Sequence, residues 1–212
     1  MRMRKKPNLA PRLEKCADLL VTAPESLRGR WLNEFRYNEL HIELGCGKGL
    51  FTAETAKSDP GAFIAALEKS ADAMVIALER AKSEGLHNTR FINAFADNLT
   101  DYFAPGEAAR IYINFCDPWP SNRHVKRRLT SSGFLSLYKN VLRPGGEVHF
   151  KTDCLSLFEF SLREFELAGF EVSEIVRDLH KNGPAGVMTD YELRFCAQGL
   201  PIYKARFVNF NR

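Results

Sequence analysis

Stretches rich in β-branched and aromatic residues alternate along this chain with segments of helical period, and that alternation most constrains what it can fold into. Strands separated by helices are the pattern of βαβ units, in which a mostly parallel sheet carries helices on its faces. The spacing predicts strands near 39–44 (ELHIEL), 62–67 (AFIAAL), 89–93 (TRFIN), 110–115 (RIYINF) and 146–151 (GEVHFK), with helices at about 48–58, 70–84, 130–142 and 154–168. The helix over 130–142 has an entry signal in Thr130-Ser131-Ser132 and stops before the turn cluster Arg143-Pro144-Gly145-Gly146. Ala168-Gly169 closes the following helix, FEVSEIV alternates as a strand near 170–176, and IYKARFV supplies a last strand near 202–208. Between them, 177–199 contains Asn182-Gly183-Pro184-Ala185-Gly186 and is expected to be a long loop.

A chain of 212 residues, 45% apolar, supports one α/β domain, expected over 31–212, preceded by a basic arm over 1–30. No apolar run approaches the roughly 20 residues that cross a bilayer, and MRMRKKPNLAPRLEK lacks the apolar core of a signal peptide, so a cytoplasmic protein is expected. Five cysteines without a C-x-x-C pair argue against disulfides and zinc, and the five histidines lack metal-ligand spacing; no metal is expected. Residues 1–15 carry six Lys/Arg against one Glu, and 121–128 carry four Lys/Arg and no acid, on a chain whose formal net charge is only +4. Two basic segments on an otherwise acidic body point to an anionic partner with a defined docking face, such as nucleic acid.

Where the first strand runs into the first helix stands Glu43-Leu44-Gly45-Cys46-Gly47-Lys48-Gly49. Glycines here permit a tight turn and let a ligand approach the backbone, while the helix start offers free N–H groups. Leu50 occupies the place of a dinucleotide fingerprint's third glycine, which disfavours an NAD-dependent oxidoreductase. The loop is similar to that of S-adenosylmethionine-dependent methyltransferases, where an acid such as Glu43 accepts from the methionyl ammonium group. Glu68, 25 residues on at the end of the second strand, suits the ribose hydroxyls, although it could equally cap the helix that starts at Ser70. Phe95 and Asp97 follow the third strand, where an adenine would then lie.

The run Asn114-Phe115-Cys116-Asp117-Pro118-Trp119-Pro120-Ser121-Asn122-Arg123-His124-Val125-Lys126-Arg127-Arg128 starts as a strand, breaks at two prolines and continues as a basic segment. Such a rigid turn holds Asp117 at the carboxyl edge of the sheet, Trp119 offers a face for stacking, and Arg123, Lys126, Arg127 and Arg128 can pair with RNA phosphates.

On these motifs the chain resembles the bacterial tRNA (guanine-N7)-methyltransferase family, from Glu43 to the last strand. The resemblance implies a Rossmann-like S-adenosylmethionine-dependent methyltransferase fold, α/β, with a mostly parallel sheet and an antiparallel last strand. It implies that Glu43, Glu68 and Asp117 contact S-adenosylmethionine, with Gly45 and Gly47 in the loop, and that Asp117 is also catalytic. It implies that Asp153 and the run Thr189, Asp190, Tyr191 and Glu192 contact guanosine, in the variable loop of tRNA. A monomer or homodimer is expected. Two positions depart from the pattern: Ser121 stands where a lysine contacting substrate is common, and Phe95 stands where an acid is common, with Asp97 two residues on. The residues alone also fit a methyltransferase for an exocyclic amine of adenine or guanine, and a non-catalytic RNA-binding protein on the same fold.

Overall fold

The computed structural model describes residues 5–196 and 198–210. Seven strands appear where the patterning expects them: β1 (Glu39–Leu44), β2 (Ala62–Leu67), β3 (Thr89–Ile92), β4 (Ala108–Asn114), β5 (Leu142–Thr152), β6 (Glu171–Val176) and β7 (Tyr203–Asn209). They form one sheet in the order β3-β2-β1-β4-β5-β7-β6, with β7 antiparallel to both neighbours and β1 to β5 mutually parallel. Strand order reverses at β1, so a crevice opens between the carboxyl ends of β1 and β4, the place where open α/β sheets bind ligands.

The largest displacement from expectation is the start of β5. Leu142 already pairs with Ala108, and the next register pair is Arg110 with Glu147, so the expected turn Arg143-Pro144-Gly145-Gly146 bulges out inside the strand.

Helices α3 (Leu50–Ser58) and α4 (Ala71–Ser83) cover one face of β2, whose six residues are all buried. A Cβ at Gly49 would lie 2.6 Å from the Cβ of Ala77, so the start of α3 rests directly on α4 and only glycine fits. The opposite face carries α2 (Trp31–Phe35), α5 (Leu99–Tyr102), α6 (Ser132–Val141) and α7 (Leu155–Leu167) over the larger core. There Phe165 stacks on Phe207 with ring centroids 3.7 Å apart. Ser131 is the N-cap residue of α6 but its hydroxyl does not cap; the Glu164 carboxylate of α7 accepts from Ser132 N at 3.0 Å instead.

The described part of the arm is folded onto the body. Helix α1 (Leu9–Glu14) lies against α4, with Arg12 forked onto Glu79 at 2.6 Å, and Cys16 and Leu19 are buried with Met74 and Leu78. Val21 N donates to Phe91 O and Phe91 N to Leu19 O, both at 2.9 Å, which covers the β3 edge of the sheet. Arg2 and Arg4 of the basic arm lie outside the described residues.

The expected loop over 177–199 is corrected: it contains a helix, α8 (Asp190–Cys196). Its start is a reciprocal capping box, with Thr189 Oγ1 accepting from Glu192 N at 3.0 Å and Glu192 Oε2 from Thr189 N at 2.8 Å. The T-x-x-E spacing is visible in the sequence and could have located the helix.

Candidate active site

The glycine loop is tied to β2 by Leu67 O, which accepts from Gly45 N at 2.8 Å and Cys46 N at 3.0 Å. Gly45 and Gly47 have φ of 79° and 58°, and a Cβ on either would meet nothing within 4 Å, so the loop is an open cradle. Glu68 bridges the cradle and the next helix: Oε2 accepts from Gly47 N at 3.0 Å and Oε1 from Ser70 N at 2.8 Å. The capping and ligand-binding readings of Glu68 are thus compatible, because each carboxylate oxygen keeps a second lone pair.

Glu43 lies beneath the loop, buried, accepting from the Thr52 hydroxyl. Burial pushes its carboxyl up to about 7; the hydrogen bond from Thr52 offsets part of that, and the neighbouring Glu68 adds to it. The thiols nearby are disfavoured as thiolates. Burial raises both Cys46 and Cys116, the latter to about 12.

A cavity of about 520 Å³ occupies the crevice, lined by Gly45, Glu68, Phe95, Asp97, Asp117 and Trp119, among others. Lys126 and Arg127 reach its rim. Phe95 is 61% exposed at the mouth. A second cavity of about 430 Å³ lies under residues 185–187 and shares Asn114 with the first.

The turn after β4 is strained. Phe115 and Trp119 have φ of 52° and 41°, left-handed values that cost energy for a residue with a Cβ. The exposed Asp117 they flank has its Oδ2 3.5 Å from Lys69 Nζ. Trp119 has Arg127 5.1 Å over its ring and meets His124 edge-to-face, with ring centroids 5.5 Å apart. Arg123, Lys126 and Arg127 are exposed, as a phosphate-binding role requires. Arg128 is different: half-buried, it donates from Nε to Pro118 O at 3.0 Å and from Nη2 to Trp119 O at 3.0 Å. Ser121 is exposed, and its hydroxyl accepts from Arg123 N at 3.4 Å, starting the 3₁₀ turn Asn122–Arg127.

Helix α8 brings the second group of residues to this edge. Glu192 is fully buried, and besides closing the capping box it receives Lys151 Nζ at 3.0 Å and His180 Nε2 at 3.2 Å. Lys151 also donates to Val187 O at 2.8 Å, so one ammonium fastens both the 177–189 segment and α8 to β5. Burial pulls its pKa down, and Glu192 opposes that. Asp190 lies 3.5 Å from Arg80 of α4. Tyr191 is left 46% exposed, between Phe115 at 5.4 Å and Phe195 at 4.8 Å between ring centroids. Asp153 is exposed on the turn after β5. Of the expected cofactor residues the cavity gathers Gly45, Glu68, Phe95, Asp97 and Asp117 but not Glu43 or Gly47, and Ser121, Asp153, Thr189, Asp190, Tyr191 and Glu192 do not line it. Sequence reasoning missed Lys69, His124, Lys151 and His180. No spacing rule singles them out: Lys69 and Lys151 meet their partners across distant segments, while His124 meets Trp119 and His180 meets Glu192 only through the path of a turn.

A parallel sheet with an antiparallel strand, an open glycine cradle at the switch point and strand-end acids around one cavity define a methyltransferase of the Rossmann-like class. Solved structures agree on the fold: the 16S rRNA methyltransferase KamB superposes with a TM-score of 0.65 at 17% identity over 84% of this chain and 92% of that one. A precorrin-6y C5,15-methyltransferase from Geobacter metallireducens gives 0.55 at 15% identity over 97% and 93%. A family model described as "Putative methyltransferase" matches residues 37–205. The tRNA (guanine-N(7)-)-methyltransferase of Bacillus velezensis is 44% identical over 97% of this chain and 95% of its own length. That of Bacillus subtilis is 43% identical over 97% of both. The chain belongs to the tRNA (guanine-N7)-methyltransferase family. Family and fold imply S-adenosylmethionine as methyl donor, and the residues fit it: the cradle is open, Glu68 has lone pairs to spare, and Glu68, Asp97 and Asp117 put carboxylates on the cavity wall.

Proposed function

We propose that this chain transfers a methyl group from S-adenosylmethionine to N7 of a guanosine in tRNA, with Asp117 as the catalytic acid group. The observation that carries the reading is the position of Asp117, held on a strained turn at the mouth of the crevice with exposed cations beside it. S-adenosylmethionine supplies an electrophilic methyl group on a sulfonium. Guanine N7 carries a free lone pair, so the chain need not remove a proton to start the reaction. Its residues align the two partners and place negative charge near a purine that becomes cationic. Glu43 and Glu68 hold the ammonium and ribose ends of the donor, and Phe95 and Asp97 face its adenine. Asp117 supplies the field at the purine or accepts from its N1 or amino edge. Asp153 and Tyr191 meet the base, while Thr189, Asp190 and Glu192 fix the helix that presents Tyr191. Ser121 keeps the basic turn in shape, and Arg123, Lys126 and Arg127 hold the RNA backbone. Because N7 lies in a deep, narrow groove of an RNA helix, the substrate is an exposed or locally opened guanosine. The proposal extends to the variable-loop guanosine as target, to catalysis without a metal, and to a cytoplasmic monomer or homodimer.

Incubation of unmodified tRNA with labelled S-adenosylmethionine, followed by nucleoside mass spectrometry, should yield 7-methylguanosine; label on an exocyclic amine would overturn the assignment. Asp117→Ala should lower kcat by about 10²–10³-fold, the loss typical of removing one preorganised electrostatic group. A rate within a few-fold of wild type would remove Asp117 from this role.

A further inference from the structure

We infer that Arg128 is a positioning residue for Asp117, acting as a clamp on the Pro118-Trp119 turn and not as an RNA phosphate contact. Its guanidinium is committed three times to two consecutive carbonyls: Nε to Pro118 O at 3.0 Å and to Trp119 O at 3.3 Å, and Nη2 to Trp119 O at 3.0 Å. It also lies over the Phe160 ring of α7, 4.3 Å from the centroid, which fixes its plane against the body of the protein.

Consecutive carbonyls of an extended chain point to opposite sides. Here both face one guanidinium, in a turn where Trp119 has φ of 41°. That conformation is doubly unfavourable, because Trp119 carries a Cβ and precedes Pro120, which restricts it further. Neither Pro118 nor Pro120 has an N–H to close the turn from within. The carbonyls therefore take their donors from a side chain, and a planar fork with several N–H groups suits two neighbouring acceptors as an ammonium does not. Asp117 is joined directly to the clamped Pro118, so the clamp sets where its carboxylate stands at the cavity mouth. Arg123, Lys126 and Arg127 are exposed and remain available to RNA.

The inference rests on the role of Asp117 proposed above, so the test carries Asp117→Asn in parallel. Arg128→Lys keeps the charge but loses the fork. A clamp predicts that it lowers kcat tenfold or more, with KM for tRNA within twofold and an unchanged salt dependence of RNA binding. Its cost should largely vanish on the Asp117→Asn background. A phosphate contact predicts the reverse: Arg128→Lys near wild type, and Arg128→Gln raising KM and reducing the salt slope by about one. Phe160→Leu, which keeps the arginine but removes the ring beneath it, should reproduce part of the kcat loss. It serves as the second probe if Arg128→Lys fails to melt cooperatively. Wild-type kcat in any folded member of the pair overturns the clamp. A normal rate for Asp117→Asn would instead overturn the reading of Asp117, so the two failures are distinguishable.

Discussion

The two sides of the crevice are built differently. On the β1–α3–β2–α4 side, ligand-facing groups are fixed by nearby backbone: Leu67 O holds the glycine loop, and Gly47 N and Ser70 N hold Glu68. On the β4–β5–α8 side, charged side chains do the fastening, Arg128 onto the backbone of the Asp117 turn and Lys151 onto Glu192. The first design gives a preformed cradle for a small ligand. The second holds exposed groups, Asp117, Asp153 and Tyr191, at an open edge that a large RNA can approach.

If the sides are independent, Lys151→Met should damage only the second. It takes the lysine ammonium from the buried Glu192 carboxylate, leaving His180 and Thr189 N, and breaking a buried pair costs about 3–5 kcal/mol. Urea unfolding should show a loss of that order, with amide exchange rising first in 179–195, while S-adenosylmethionine affinity changes less than threefold. A collapse of cofactor affinity would mean that the halves are one unit.

Glu43→Gln probes the first side through pH. The wild-type carboxyl, raised by burial from 4.5 to about 7, binds its proton more tightly folded than unfolded. Wild-type stability from this group is therefore full below about pH 4.5 and falls as pH rises to about 7, by roughly 3 kcal/mol. The variant should match wild type near pH 5, melt higher at pH 8, and bind S-adenosylmethionine more weakly. Calorimetry of wild type should show proton release on cofactor binding near pH 7, since a cationic ligand favours the ionised carboxylate. An equal melting difference at both pH values would mean that Glu43 is ionised throughout.

Arg127→Gln carries the smallest expected effect. One fewer phosphate contact should lower the slope of log K against log salt by about 0.9, alike for every RNA, with cofactor affinity unchanged. A change confined to particular tRNAs would make Arg127 a reader of sequence or shape.

Legibility followed the same division. Strand period exposed all seven strands, and the acids at Glu43, Glu68 and Asp117 were legible because strand ends in an α/β sheet fall at one edge whatever the loops do. Helix α8 was missed because the glycine-rich segment before it overshadowed the Thr189–Glu192 capping box. Arg128 was read with its basic neighbours because charge in a run says nothing about which member turns inward.

By itself the sequence determined the order of the strands, the class of sheet and the glycine cradle, since these follow from local period, backbone freedom and strand-end placement. Only the tertiary structure decided which charges are spent inside the protein and which remain on its surface. It folded the arm onto α4, buried Glu192 against Lys151 and turned Arg128 onto the Asp117 turn. The physical reason is that a charged side chain's role is set by the partners within a few ångströms of it, and which groups come that close is decided by how the chain folds back on itself.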